Sequence, residues 1–95
     1  MESSGKPVPQ ARVVMYSTPW CPYCIRARKL RKDKGASFED IDVAGKPELR
    51  RHMETLSGRH TVPQIWINDQ HVGGCDELHA LERAGQLDKI LAVAH

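Results

Sequence analysis

Cys21-Pro22-Tyr23-Cys24 sets two thiols three residues apart, directly behind a short apolar run. Such a pair suits thiol–disulfide exchange, provided one thiol ionises near neutral pH. The flanking sequence provides for that. Arg12 to Tyr16 (RVVMY) reads as a buried strand and Ser17 to Cys21 (STPWC) as a turn. Pro22 suits the first position of a helix, where its missing N–H costs nothing. The start of a helix has unpaired N–H groups and a partial positive charge, so it favours an anion. A C-x-x-C thiol there falls from about 8.5 to between roughly 3.5 and 7.5. Cys21, exposed at the helix start, is expected to attack. Cys24 lies one turn on, more buried and less acidic, within reach of a mixed disulfide on Cys21, and is expected to resolve it.

C-x-x-C is also half of a zinc site. The chain has no second C-x-x-C, and its histidines at 52, 60, 71, 79 and 95 are scattered, so no metal is expected. Three cysteines are too few for a disulfide-stapled secreted domain. Residues 1–10 (MESSGKPVPQ) lack the apolar stretch of a signal peptide, and no run approaches the roughly 18–20 apolar residues that cross a bilayer. The reading is a reducing cytosol and no membrane. The net charge of +2 is too weak to imply a nucleic-acid partner.

The 95 residues fit one domain at 11–95, behind a flexible leader at 1–10. The first helix is expected to turn Ile25, Ala27 and Leu30 inward and to leave Arg26, Arg28, Lys29, Arg31, Lys32 and Lys34 mostly in solvent, ending at Gly35. That basic run reads as a solvated face or as a surface that steers acidic partners. Phe38 to Val43 alternates as a half-buried strand. Pro47 opens a second helix with Leu49, Met53 and Leu56 at helical spacing and Gly58 as its cap. Val62 to Ile67 holds a third strand, Asn68-Asp69-Gln70 a turn, and His71 to Gly73 a return strand. Asp76 is expected to cap a third helix through Leu78, Leu81 and Ala84, with a last helical turn or two over 87–93. The order is β-α-β-α-β-β-α. Strands joined through a helix are expected to run parallel, and the hairpin antiparallel. The fold class is α/β: a thioredoxin-like fold with a four-stranded mixed sheet flanked by helices.

Three motifs in order carry a family resemblance: Tyr16 to Cys24, Thr61-Val62-Pro63 and Gly73-Gly74-Cys75-Asp76. Over about Val13 to Leu91 the chain resembles the dithiol glutaredoxins, especially the short bacterial type. The resemblance implies a glutathione–disulfide oxidoreductase with glutathione as co-substrate. Its partners would be glutathionylated or disulfide-containing proteins, and the chain would act as a monomer. Pro63 matches the family's cis-proline, and Thr61 and Val62 the segment whose main chain pairs with glutathione. Gly74, Cys75 and Asp76 match the cradle for its γ-glutamyl end, Tyr23 a flanking ring, and Arg50 a contact of its glycine carboxylate. Cys75 itself reads as a small, partly buried residue. Thr18 departs from the pattern, because many members carry lysine there. That implies a less acidic Cys21 or weaker glutathione binding, with Arg26, Arg50, Arg59 and His60 as candidate substitutes. Two other readings of the pattern are a glutathione-ligated iron–sulfur carrier and a redoxin fed by thioredoxin reductase. Proline directly after Cys21 and the competing thiol of Cys24 argue against the first, Gly-Gly-Cys-Asp against the second.

Overall fold

A four-stranded sheet with helices on both faces carries the two thiols at one end of its central strands. The computed structural model describes residues 11–93, and the expected leader at 1–10 lies outside them. Along the chain come β1 (Val13–Ser17), α1 (Pro22–Asp33), β2 (Phe38–Asp42), α2 (Pro47–Ser57), β3 (Gln64–Ile67), β4 (Gln70–Gly73), α3 (Cys75–Arg83) and α4 (Leu87–Leu91). The strands lie in the order β2-β1-β3-β4.

The central strands are buried on both faces, and the alternation of their residues sorts two cores. Val13 and Met15 of β1, with Ile65 and Ile67 of β3, pack with Ala27, Leu78, Leu87 and Leu91 beneath α1, α3 and α4. Tyr16 points the other way, onto Met53 and Val43 beneath α2, where Val14, Ile41, Leu49 and Trp66 join it. Asn68 and Asp69 both adopt positive φ (51° and 68°), the conformation of a tight two-residue hairpin turn. Gln70 therefore belongs to β4 rather than to the turn, pairing with Ile67.

Three expectations are corrected. First, β1 and β2 are parallel, as two strands joined through a helix should be, but β3 runs antiparallel to β1. The six residues 58–63 after α2 bring the chain back, so that Gln64 pairs with Tyr16 at the thiol end of β1. A parallel β3 would start at the opposite end and carry Pro63 away from Cys21. Second, the inner face of α1 is Cys24 and Ala27, both essentially inaccessible, while Ile25 is half exposed. Burial of Cys24 fixes the rotation of the helix and turns its neighbour outward. The same rotation draws three cations of the basic run inward. Arg28 pairs with Asp40, Arg31 lies 3.5 Å over the Phe38 ring, and Lys34 bridges Glu82 and Asp88. Third, Leu56 is exposed rather than part of the buried face of α2.

Candidate active site

Cys21 occupies the N-cap of α1 in an extended conformation, followed by Pro22 at the first helical position. The cap places Sγ at the unpaired amides of the first turn. In the thiol form Cys21 Sγ donates to the carbonyl of Val62, 3.8 Å away. Partial burial pushes the Cys21 thiol up. The Cys24 amide and thiol, the Tyr23 amide and the Arg28 charge outweigh that, and leave it below its ordinary value. Cys24 is fully buried. Burial, together with the neighbouring Cys21 sulfur, pushes its thiol up to about 11, against the opposing pull of the Thr18 amide and Arg28. The two thiols thus differ in the order expected from their positions.

Facing them is the loop from Thr61 to Pro63, with a cis bond between Val62 and Pro63. The side chain of Gln64 anchors this loop from inside. It is wholly buried, and its amide nitrogen donates to the Thr61 carbonyl at 3.0 Å and to Thr61 Oγ1 at 3.2 Å. Its oxygen meets His71 Nε2 at 2.7 Å. Trp66 lies against the His71 ring at 4.8 Å, closing the network from the side.

Gly74, Cys75 and Asp76 stand across the cleft. The helix α3 is capped not by Asp76, as expected, but by Gly74, so Asp76 lies exposed in the first turn. Glu77 explains the shift: its Oε1 accepts the Gly74 N–H at 2.7 Å, and its Oε2 meets Arg59 at 3.4 Å. The backbone approach is close here. A Cβ on Gly74 would sit 3.1 Å from the Pro63 carbonyl, and one on Gly73, at φ 121°, would strike the Glu77 side chain at 2.9 Å. Cys75 is buried, its Sγ 3.3 Å from His79 Nδ1, and burial pushes its thiol up.

Seven of the expected binding residues (Tyr23, Thr61, Val62, Pro63, Gly74, Cys75 and Asp76) line one cleft of about 280 Å³, together with Arg59 and Glu77. Arg50 stands apart from them. It lines a second cleft with Thr18, Trp20, Cys21, Lys46 and Val62, and its Nη2 donates to the His60 carbonyl at 2.9 Å. Val62 borders both clefts, and Cys21 opens into the second. Together they offer an acidic thiol, an exposed main-chain segment beside it, and a helix N-terminus with a cation for an anionic end group.

Comparison with known proteins decides the family. The glutaredoxin family model matches residues 13–72. The chain belongs to the glutaredoxin family. A glutaredoxin of Pseudomonas aeruginosa is 60% identical over 80 residues, covering 84% of this chain and 95% of that one. Glutaredoxin 3 of Escherichia coli K12 is 48% identical over 81 residues, covering 85% and 98%. Among solved structures, the Brucella melitensis glutaredoxin is 50% identical with a TM-score of 0.75, covering 95% of each chain. A buckwheat glutaredoxin–glutathione complex is 30% identical with a TM-score of 0.79, covering 85% of this chain and 76% of that one. This glutaredoxin has the thioredoxin-like fold, and its activity class is thiol–disulfide oxidoreductase.

Arg28 is a cation that pulls the Cys21 thiol down, and Arg26 pulls on Cys75. The missing signal was helical spacing, since Arg28 follows Cys24 by four residues and shares its face. Gln64, too, was visible as the single polar residue opening an otherwise apolar strand, QIWI. Glu77 stands three residues after Gly74, the place from which a side chain reaches back to the cap.

Proposed function

We propose that this glutaredoxin reduces protein–glutathione mixed disulfides and protein disulfides at the expense of glutathione, with Cys21 as nucleophile and Cys24 as resolving thiol. The supporting observation is the acidified Cys21 thiol beside the Val62 main chain, where two clefts adjoin.

Cys21 thiolate attacks the glutathione sulfur of the mixed disulfide. The Cys21–glutathione bond forms, and the protein thiolate leaves and takes up a proton. A second glutathione thiolate then attacks the bound glutathione sulfur, and Cys21 leaves as thiolate with release of glutathione disulfide. With a protein disulfide, Cys21 thiolate attacks one sulfur and the other leaves as thiolate. Cys24 then attacks Cys21 Sγ and the first protein sulfur leaves in turn. Two glutathiones reopen the Cys21–Cys24 bond and depart as glutathione disulfide. The family potential of roughly −200 to −230 mV lies close to that of the glutathione pool, so both directions are accessible.

In this reading glutathione lies as an extended strand along Val62, with Thr61, Pro63 and Tyr23 around its cysteinyl part. Its γ-glutamyl carboxylate meets the start of α3 at Gly74 and Cys75, its amino group meets Asp76, and its glycine carboxylate reaches Arg50. The glutathione bound in the buckwheat relative supports the choice of ligand. Dependence on glutathione fits a reducing, cytoplasmic setting and a monomer, and no helix among the described residues is long and apolar enough to cross a membrane.

The test is the choice of reductant. Turnover of a glutathionylated peptide is expected with glutathione, NADPH and glutathione reductase. Turnover with thioredoxin reductase, and none with glutathione, would overturn the reading.

A further inference from the structure

Four elements converge on the Arg28 guanidinium. From α1 its Nε donates to Asp40 Oδ2 of β2 at 2.6 Å, and its Nη2 to Ser17 Oγ of β1 at 2.9 Å. The same Nη2 reaches the Thr18 carbonyl, at the head of the turn into Cys21, at 3.1 Å. Ser17 closes the ring by donating its hydroxyl to Asp40 Oδ1. Asp42 is the other acid lining this hollow. The planar fork of arginine suits such a set of fixed acceptors, and lysine does not reproduce it.

The clamp lies directly behind Cys24. Residues 24 and 28 are neighbours on one helical face. Thr18, whose carbonyl Arg28 grips, presents its own N–H, from the preceding peptide group, to Cys24, and both that amide and the guanidinium pull the thiol's acidity the favourable way.

We propose that Arg28, clamped by Asp40, the Ser17 hydroxyl and the Thr18 carbonyl, is a positioning residue for the resolving thiol. It keeps the Thr18 amide and one fixed positive charge against Cys24 while Cys24 attacks. In that step Cys24 thiolate bonds to Cys21 Sγ and the bond from Cys21 to the substrate sulfur breaks. The substrate leaves as thiolate and takes up a proton in place of the one Cys24 gave up. The cysteine pair loses two electrons and the substrate disulfide gains them. Without Arg28 the attacking thiolate is scarcer and less well placed. The reduced pair is also less favoured over its disulfide, because Arg28 also lowers the Cys21 thiol that the disulfide ties up.

This inference rests on Cys24 being the resolving thiol, and the experiment separates the two. Rates are measured for a disulfide-bonded peptide and for a glutathionylated peptide, both with glutathione, and the potential of the Cys21–Cys24 couple is titrated. Arg28→Gln is expected to lower the ratio of disulfide rate to mixed-disulfide rate about tenfold. The couple should move more negative by ~30 mV, the equivalent of a tenfold change in its equilibrium constant. Arg28→Lys, which keeps charge without the fork, should fall between. Equal loss of both rates, or a ratio and potential at the parent values, would overturn the inference. Should Arg28→Gln fail to fold, Asp40→Asn carries the same comparison, because it frees the guanidinium while keeping its charge. Cys24→Ser is the control. If it retains disulfide reduction, the resolving role itself fails; if it loses it while Arg28→Gln does not, only the role of Arg28 fails.

Discussion

Replacing Gln64 by leucine tests whether the loop that faces Cys21 is held from inside. Leucine fills nearly the same space and removes both polar atoms. Three hydrogen bonds are lost, two to Thr61 and one to His71. Each is worth on the order of 1 kcal/mol net, and an orphaned buried partner adds about 1–3 kcal/mol. Thr61 and His71 are both exposed, so their freed atoms turn to water and the orphan penalty is largely avoided. The two bonds to Thr61 come from one amide and count for less than two. The expected loss is therefore about 1–2 kcal/mol, a fall in Tm of roughly 5–15 °C for a domain of this size. Function should suffer more specifically. If about 1 kcal/mol of that loss is loss of order in the Thr61–Val62 main chain, the KM for glutathione rises about fivefold. The assay is thermal unfolding of the reduced protein, alongside glutathione saturation curves with a glutathionylated peptide. A Tm within about 2 °C of the parent, with an unchanged KM, would refute the view that Gln64 fixes this segment.

Other outcomes follow from the same geometry. Cys24 has its folded pKa raised to about 11 from an ordinary value of 9.0. Between these values the unfolded chain binds fewer protons than the folded one, so stability falls as pH rises through this window. Cys24→Ala should flatten that decline in alkaline denaturation of the reduced protein; an equally steep decline would show that Cys24 is not its source. Gly74→Ala puts a methyl 3.1 Å from the Pro63 carbonyl, a backbone atom that yields little. Overpacking of about 1 kcal/mol lowers Tm by roughly 4–8 °C and should raise the glutathione KM, which calorimetry and saturation kinetics read directly.

Much of this molecule was legible in its residues, and the exceptions share a cause. The apolar runs at Val13 to Tyr16 and Ile65 to Ile67 gave the buried central strands. The sequence Cys-Pro-x-Cys after a strand placed an acidified thiol at a helix start. Local pattern could not show the rotation of α1, because the side chains turned inward beside Cys24 and Ala27 include the long cations Arg28, Arg31 and Lys34. Their composition reads as solvent-facing, whereas their stems pack inside and their charges meet Asp40, the Phe38 ring, and Glu82 with Asp88. Nor did local pattern give the direction of β3, which depends on where residues 58–63 return the chain. That direction sets Val62 against Cys21, so the site owes its second half to a long-range choice. The cap of α3 was misplaced for a related reason. Asp76 is the familiar capping type, but Glu77 satisfies the Gly74 amide and releases Asp76 to the cleft.

The central claim is that Cys21 takes glutathione from a mixed disulfide. It is tested most directly by trapping the intermediate. The Cys24→Ser protein, reduced and mixed with a glutathionylated peptide, cannot close the internal disulfide and should hold glutathione as a covalent adduct. Mass spectrometry of its proteolytic fragments is expected to locate that adduct on Cys21, with the peptide released as free thiol. An adduct on Cys75, or the peptide rather than glutathione bound to Cys21, would contradict the account.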